Sequence, residues 1–417
     1  MSNDFLVDDP SPVVHIVHTM NPLSQKPSVT PLRFDFKHWA GVVACGILLH
    51  PAMRAKAYPS RYGWGLYLLA LSFLIAYVLT PVAGRVAARV GAVDHPSGRK
   101  AHASATPYFG GAAIYAAFAA VVLLNFYFSV ELKGVALGAT LIFVVGLLDD
   151  IWNLSARLKL LAQGVAVVIL IKYNVSISFL PDTWWGDAGE VLLTGLWVIG
   201  ITNAFNFIDG LDGLATGSAA INAFFFGLVA FMTDQQFMMF LSAALMGSCL
   251  GFLPHNFRRS RPAGIFMGDA GSNFLGFTLA GIGVMGDWGR NHLSDIIVPV
   301  LILGVPIFDT TLTTVVRVWS SQVKTFNEWI AFTGRDHFHH RLSDLGLGNR
   351  TAVLVIYTIT AWAGLSGLLL KDATGMSAVL ALMQSAIIFL LIGGFMVFVK
   401  DQYARMAGVV NPKSGDE

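Results

Sequence analysis

The chain alternates long apolar runs with short polar breaks. Eleven runs are apolar enough to predict membrane-spanning helices, at roughly 64–84, 109–129, 134–148, 158–173, 190–206, 213–232, 236–253, 271–287, 295–317, 352–370 and 377–399. A spanning helix needs about 20 mostly apolar residues. The stretch from Trp39 to His50 is apolar but short, which predicts an interfacial or re-entrant segment. If it spans instead, the tail before it changes side and nothing after it does. The expected fold is therefore an all-α integral membrane protein of about eleven transmembrane helices. Residues 1–60 read as a polar N-terminal region with that short apolar segment, 61–400 as the multi-pass domain and 401–417 as a C-terminal tail. No internal repeat is visible, so an inverted-repeat transporter plan has no positive support.

Composition agrees with lipid as the main solvent. Of 417 residues, 55% are hydrophobic and 12% charged, against roughly a quarter charged in soluble domains. The net charge of +2 gives no reason to expect a nucleic-acid partner. Cys45 and Cys249 both lie in apolar stretches and read as packing residues, not as a disulfide or a metal site.

Lys and Arg placement orients the chain. Loops after odd-numbered spans, with the C-terminal tail, hold 17 of these residues, and loops after even-numbered spans hold 4. The odd loops are therefore expected on the cytoplasmic side. Arg54, Lys56 and Arg61, just before the first span, pull mildly the other way.

Five polar clusters stand out, and all follow odd-numbered spans. The first runs from Val93 and Asp94 through Arg99 and Lys100 to Gly110 and Gly111. Asp149 and Asp150 close the third span. Asn203, Asn206, Asp209, Asp212 and Gly213 follow the fifth. Gly268, Asp269, Gly271 and Ser272 follow the seventh, and Asp336, His337, His339, His340 and Arg341 lie after the ninth. Each has a plainer reading. An acidic pair can be a solvated helix end, although it opposes the helix dipole. Asn, Asp and Gly make turns, and Gly268-Asp269 can cap a helix. The histidines can be a solvated loop, and Asp309, behind Pro306, can bond neighbouring helices. Arg258, Arg259 and Arg261 read more simply as positive-inside anchors than as phosphate clamps. Five clusters on one face are more specific than any one of them.

Cost sharpens the point. Asp149, Asp150, Asp209, Asp212, Asp269 and Asp309 lie at or inside predicted helix ends. Left unpaired at the bilayer centre, six carboxylates would cost about 15–20 kcal/mol. They are expected instead in a wet cavity around a cation. Carboxylate, amide and carbonyl oxygens suit a hard ion, and Mg²⁺ is typically held by one or two carboxylates plus substrate phosphates. Zinc would want thiolates or a closely placed His set; the three histidines alone do not complete one.

Together these motifs closely resemble the polyprenyl-phosphate N-acetylhexosamine-1-phosphate transferase family, over roughly residues 64–400 in motif order and helix count. Residues 1–60 lie outside the resemblance. What it implies is an Mg²⁺-dependent enzyme (Mn²⁺ being an alternative) that moves a sugar-1-phosphate from a UDP-N-acetylhexosamine to a polyprenyl phosphate in the bacterial cytoplasmic membrane. Residues 61–400 would then form the catalytic domain, with its active site facing the cytoplasm. The resemblance makes Asp269 the principal metal ligand, with Asp149 and Asp150 beside it and one of that pair deprotonating or positioning the acceptor phosphate. It places Asn203, Asn206, Asp209 and Asp212 around the nucleotide and the metal, and Lys100 near the uridine diphosphate. It sets His337, His339 and His340 on the diphosphate or sugar. Asp94 and Asp309 join the substrate-binding candidates. Many GlcNAc-type members carry a third Asp three residues after the acidic pair, where this chain has Asn153; an amide cannot act as a base there. A homodimer is left open.

The acceptor in that reaction is already anionic, so positioning and charge neutralisation should outweigh general-base help. The spacing of His337, His339 and His340 looks like the GlcNAc-type variant, which favours UDP-GlcNAc over a related N-acetylhexosamine or UDP-MurNAc-pentapeptide. The rival from another class is a secondary transporter or lipid flippase. It would place ionisable groups near the midplane, whereas here only Asp309 is expected to lie deep.

Overall fold

The computed structural model describes residues 32, 34–94, 105–289, 292–325, 328, 334, 336–373 and 375–406. Lys100 lies outside them. The described residues are almost wholly helical: α1 (Phe36–Leu49), α2 (Pro51–Ala57), α3 (Arg61–Val90), α4 (Gly110–Asn125), α5 (Val130–Trp152), α6 (Ala156–Lys172), α7 (Trp184–Ile208), α8 (Leu214–Met232), α9 (Gln236–Asn256), α10 (Gly268–Met285), α11 (His292–Ile302), α12 (Gly304–Trp319), α13 (Phe338–Asp344), α14 (Asn349–Leu370) and α15 (Met376–Met406). A two-residue antiparallel ladder pairs β1 (Val93–Asp94) with β2 (Thr106–Pro107), Val93 opposite Pro107 and Asp94 opposite Thr106.

Each of the eleven predicted spans falls on helix. Among the described residues, seven helices are long and apolar enough to cross a membrane by themselves, and the pair α11–α12 makes an eighth crossing if counted as one. The remaining three, α4, α6 and α10, are shorter or more polar and depend on neighbours. One expectation needs correction. The run 295–317 is two helices, bent by 78° at a break around Leu303. Pro306 has no N–H for the carbonyl of Ile302, and its ring crowds that carbonyl. Leu303 (φ −90°, ψ 17°) takes up the turn.

α10 sits at the centre. Every residue from Ala270 to Gly283 is buried, and α4, α5, α7 and α8 pack around it. Small residues permit this: a Cβ on Gly111 would fall 2.3 Å from the Cα of Gly271. Close backbone approach through small residues is how helices associate in lipid, where no hydrophobic force separates helix from solvent. The centre of the bundle thus holds the N-terminus of α10 against the ends of α4 and α5, which is where the site lies. Outward faces stay apolar, as Leu161, Val168, Leu192, Leu196 and Leu390 show by their exposure.

Candidate active site

Two carboxylates at the end of α5 meet the negative end of that helix's dipole and need partners elsewhere. The fold provides them from two helices. Asp150 turns onto the N-terminus of α10, its Oδ1 accepting from the Asp269 N–H at 2.7 Å and its Oδ2 from the Ala270 N–H at 3.2 Å. α10 has no side-chain cap of its own, so Asp150 supplies one from a neighbouring helix. Gly268 makes this possible. Its φ is +75°, and a Cβ there would lie 2.5 Å from Asp150 Oδ2.

Asp149 faces the other way. Its Oδ1 accepts from the Leu154 N–H at 2.6 Å, and its Oδ2 from Lys159 Nζ at 2.8 Å. The same ammonium donates to Asp269 Oδ2 at 3.0 Å. Asn206 Nδ2 completes the group, donating to Asp269 Oδ1 at 3.0 Å and to Ser272 Oγ at 3.0 Å. Four helices, α5, α6, α7 and α10, thus converge on Asp269. Asn153 closes α5 in the left-handed region with φ +50°. An amide side chain tolerates that conformation well, which gives its presence there a backbone reason.

The turn after α7 brings the next group. Asp209 is half-buried, and among the described residues no hydrogen bond or ion pair reaches its carboxylate. Burial, then the charges of Asp269, Asp150 and Asp212, hold its pKa well above the usual carboxylate range. Asp212 accepts from the Ala263 N–H at 2.8 Å, and Asn256 fixes the following turn through Gly213 N–H at 2.6 Å. Asn203 sits one turn back along α7 and exchanges hydrogen bonds with Gln163, the shorter at 2.8 Å. It supports the group and does not touch Asp269.

The histidines come from the segment after α12. Asp309, fully buried on α12, accepts from the Phe338 N–H at 2.6 Å and lies 2.9 Å from His337 Nδ1. Arg317 pairs with Asp336 through two bonds of 2.7 and 2.8 Å, and its Nη2 lies 3.5 Å from His337 Nε2. Burial raises the Asp336 pKa, but the bonds and charge of Arg317 outweigh it and hold the carboxyl below its ordinary value. Both ring nitrogens of His337 therefore face protein groups, and this ring anchors the loop. His339 stands against the Asp209–Gly210 turn, where a Cβ on Gly210 would meet its ring. His340 packs on His339, with ring centroids 4.1 Å apart. Asp94 hydrogen-bonds with Tyr108, whose phenol pKa is raised by burial and then by the charges of Asp94, Asp150 and Asp269.

The acidic residues fit a hard cation on one observation, the Asp209 carboxylate half-buried among three others with no donor of its own. Among the described residues, no three His, Cys, Asp or Glu side chains form a ready-made metal cage. The expected trio of Asp269, Asp149 and Asp150 is thus not one: Lys159 bridges two of them, and Asp150 is committed to backbone. Mg²⁺ does not require a cage, because substrate phosphates and water complete its shell. Sequence reasoning counted Lys159 only among the basic loop residues. Nothing in its spacing marks it out, although a Lys near a helix N-terminus opposes the dipole. Gln163 and Arg317 carried no signal either.

Comparison with known proteins gives the lineage. The family model for glycosyl transferase family 4 matches residues 132–287. The chain is 39% identical over 349 residues to a Bacillus subtilis (strain 168) protein named probable undecaprenyl-phosphate N-acetylglucosaminyl 1-phosphate transferase, covering 82% of this chain and 92% of that protein. It is 34% identical to the decaprenyl-phosphate N-acetylglucosaminephosphotransferase of Mycolicibacterium smegmatis, over 70% of this chain and 78% of the relative. With the undecaprenyl-phosphate alpha-N-acetylglucosaminyl 1-phosphate transferase of Escherichia coli (strain K12), identity is 27% over 71% of this chain and 81% of the relative.

Proposed function

The chain belongs to glycosyl transferase family 4, and on that premise we propose that it transfers GlcNAc-1-phosphate from UDP-GlcNAc to undecaprenyl phosphate, releasing UMP. The product is a lipid-diphosphate-linked sugar that would initiate a cell-envelope polysaccharide. The observation that carries the reading is the convergence of Asp149, Lys159, Asn206 and Asp269 at the buried N-terminus of α10, in a membrane protein that resembles such transferases over most of its length.

The chemistry follows from charge. The acceptor oxygen is already anionic and the donor is a diphosphate, so two negatively charged groups must be held together in line. Positioning and electrostatic stabilisation supply most of the acceleration in phosphoryl transfer. Lys159 offers a fixed positive charge between two helices. Asp149 sets where that ammonium points, and Asp150 fixes Asp269 through the α10 amides. His339, against the Asp209–Gly210 turn, and His340, packed on it, would donate to donor phosphate or sugar oxygens. A divalent Mg²⁺, held by Asp269 with Asp209 or Asp149 nearby, would neutralise the phosphate charge when bound.

The 17-to-4 bias of basic residues supports a cytoplasmic site, in the bacterial inner membrane. That is where a soluble nucleotide sugar is available to meet a lipid that stays in the bilayer. The test is transfer of radiolabel from UDP-[¹⁴C]GlcNAc into organic-extractable lipid by purified protein with undecaprenyl phosphate and Mg²⁺. Labelled lipid diphosphate supports the reading. Label in lipid only from another UDP-N-acetylhexosamine would replace the sugar assignment, and none from any donor would overturn the transferase reading.

A further inference from the structure

The N-terminal helices run alongside α3 in the opposite direction. Arg85 lies over the ring of Phe34 at 5.7 Å. His38 stacks on Tyr77 at 4.9 Å. A Cβ on Gly41 would meet Val78 at 2.9 Å, and one on Gly63 would meet the Ala57 carbonyl at 3.0 Å. From Gly63 to Arg85 a helix rises about 33 Å, enough to cross about 30 Å of hydrocarbon. α1 and α2 together match that length, interrupted only at His50, whose extended backbone precedes Pro51. No Asp, Glu, Lys or Arg occurs between Lys37 and Arg54. Phe36, Trp39, Val43 and Ile47 are exposed along the outer face, and Arg54, Tyr58, Arg61 and Trp64 gather at the far end, as interfacial residues do.

The start of this segment reaches a loop of the candidate site. His38, 5% exposed, stacks on His255, 6% exposed, with ring centroids 5.3 Å apart. The His255 carbonyl accepts from the Gly264 N–H at 3.0 Å and from Arg258 Nε at 3.2 Å. A Cβ on Gly264 would fall 2.8 Å from Leu32 Cδ2. The adjacent Ala263 N–H is the donor to Asp212. A continuous set of contacts therefore runs from Leu32 and His38 through the 255–265 loop to Asp212.

We propose that residues 34–57 form an additional membrane crossing, which brings its N-terminal end to the site-bearing face, and that Leu32 and His38 brace the loop holding Asp212. The short apolar stretch is then not interfacial. His38 is a positioning residue: Asp35 Oδ1 holds its Nδ1 at 2.6 Å at the start of α1, its Nε2 is buried without a hydrogen-bond partner, and its ring stacks on His255. This second part rests on the transferase reading; the crossing does not.

Two measurements test it. In a chain with Cys45 and Cys249 replaced by Ala, single cysteines at Lys37, Arg259 and Asp182 are labelled with a membrane-impermeant maleimide in intact cells and in inverted vesicles. Lys37→Cys should label in the same preparation as Arg259→Cys and opposite to Asp182→Cys. Labelling together with Asp182→Cys would overturn the crossing. For the brace, His38→Ala should raise the KM for UDP-GlcNAc by about three- to tenfold. The kcat and the KM for undecaprenyl phosphate should stay near wild type, and His38→Phe, which keeps a stacking ring, should restore the donor KM. A His38→Ala enzyme with unchanged donor KM would overturn the brace. If that variant does not fold, Leu32→Ala makes the same comparison.

Discussion

Lys159 is the residue whose role changed most between sequence and structure. It is the one cation seen to join Asp149 to Asp269 among the described residues, and on the proposed reading its ammonium would offset donor and acceptor charge. Lys159→Met should lower kcat by about 10²-fold or more, the scale of losing one electrostatic stabiliser, and Lys159→Arg should recover part of it. Steady-state rates of UMP release check both. Asp209 makes a different prediction. Its folded pKa is raised, so between its unfolded value, near 4, and its folded one the folded state binds more protons. Stability is therefore fully present at acid pH and lost as pH rises through that window. In metal-free buffer the melting temperature should fall with rising pH across it, and Asp209→Asn should flatten the slope. An identical slope in the variant would show that another group carries it.

At the scale of elements, the decisive device is the capping of α10 by a carboxylate from α5. It sets the depth and rotation of the central helix, and with them the direction of Asp269. Gly268→Ala adds a Cβ both at positive φ and against Asp150. It should destabilise the protein by about 1–3 kcal/mol and remove most activity, read by thermal melting beside turnover. The positions of the helices were legible because apolar runs of membrane length have one physical explanation. The break at Leu303 was not, since Pro306 is compatible with a kink or a full break and only packing decides. α10 itself was the least obvious span. Its Gly, Asn and Ser residues lower its hydropathy because it contacts helices, not lipid.

At the scale of the whole molecule, the one-sided clustering of polar motifs pointed to a site and to the strings expected to build it. It could not show their division of labour. Asp149 and Asp150 are neighbours in sequence yet face different helices, and His337, two residues from His339, is turned into the protein by Asp309 and Arg317. Such differences arise from helix rotation and tertiary pairing, which motif strings do not encode. The N-terminal region was left open between interfacial and spanning, because each half of the proposed crossing is too short to register as one.

On the proposed reading, this membrane bundle uses Asp269 at the α10 N-terminus to transfer a phosphosugar. The most direct measurement is UMP release by purified protein with undecaprenyl phosphate and UDP-GlcNAc, titrated with Mg²⁺, beside Asp269→Asn. Metal-dependent UMP release that Asp269→Asn abolishes, with the variant's melting temperature within a few degrees of wild type, is the predicted result. Equal UMP release by the folded Asp269→Asn protein, or none from the folded wild type with any UDP-N-acetylhexosamine, would contradict it.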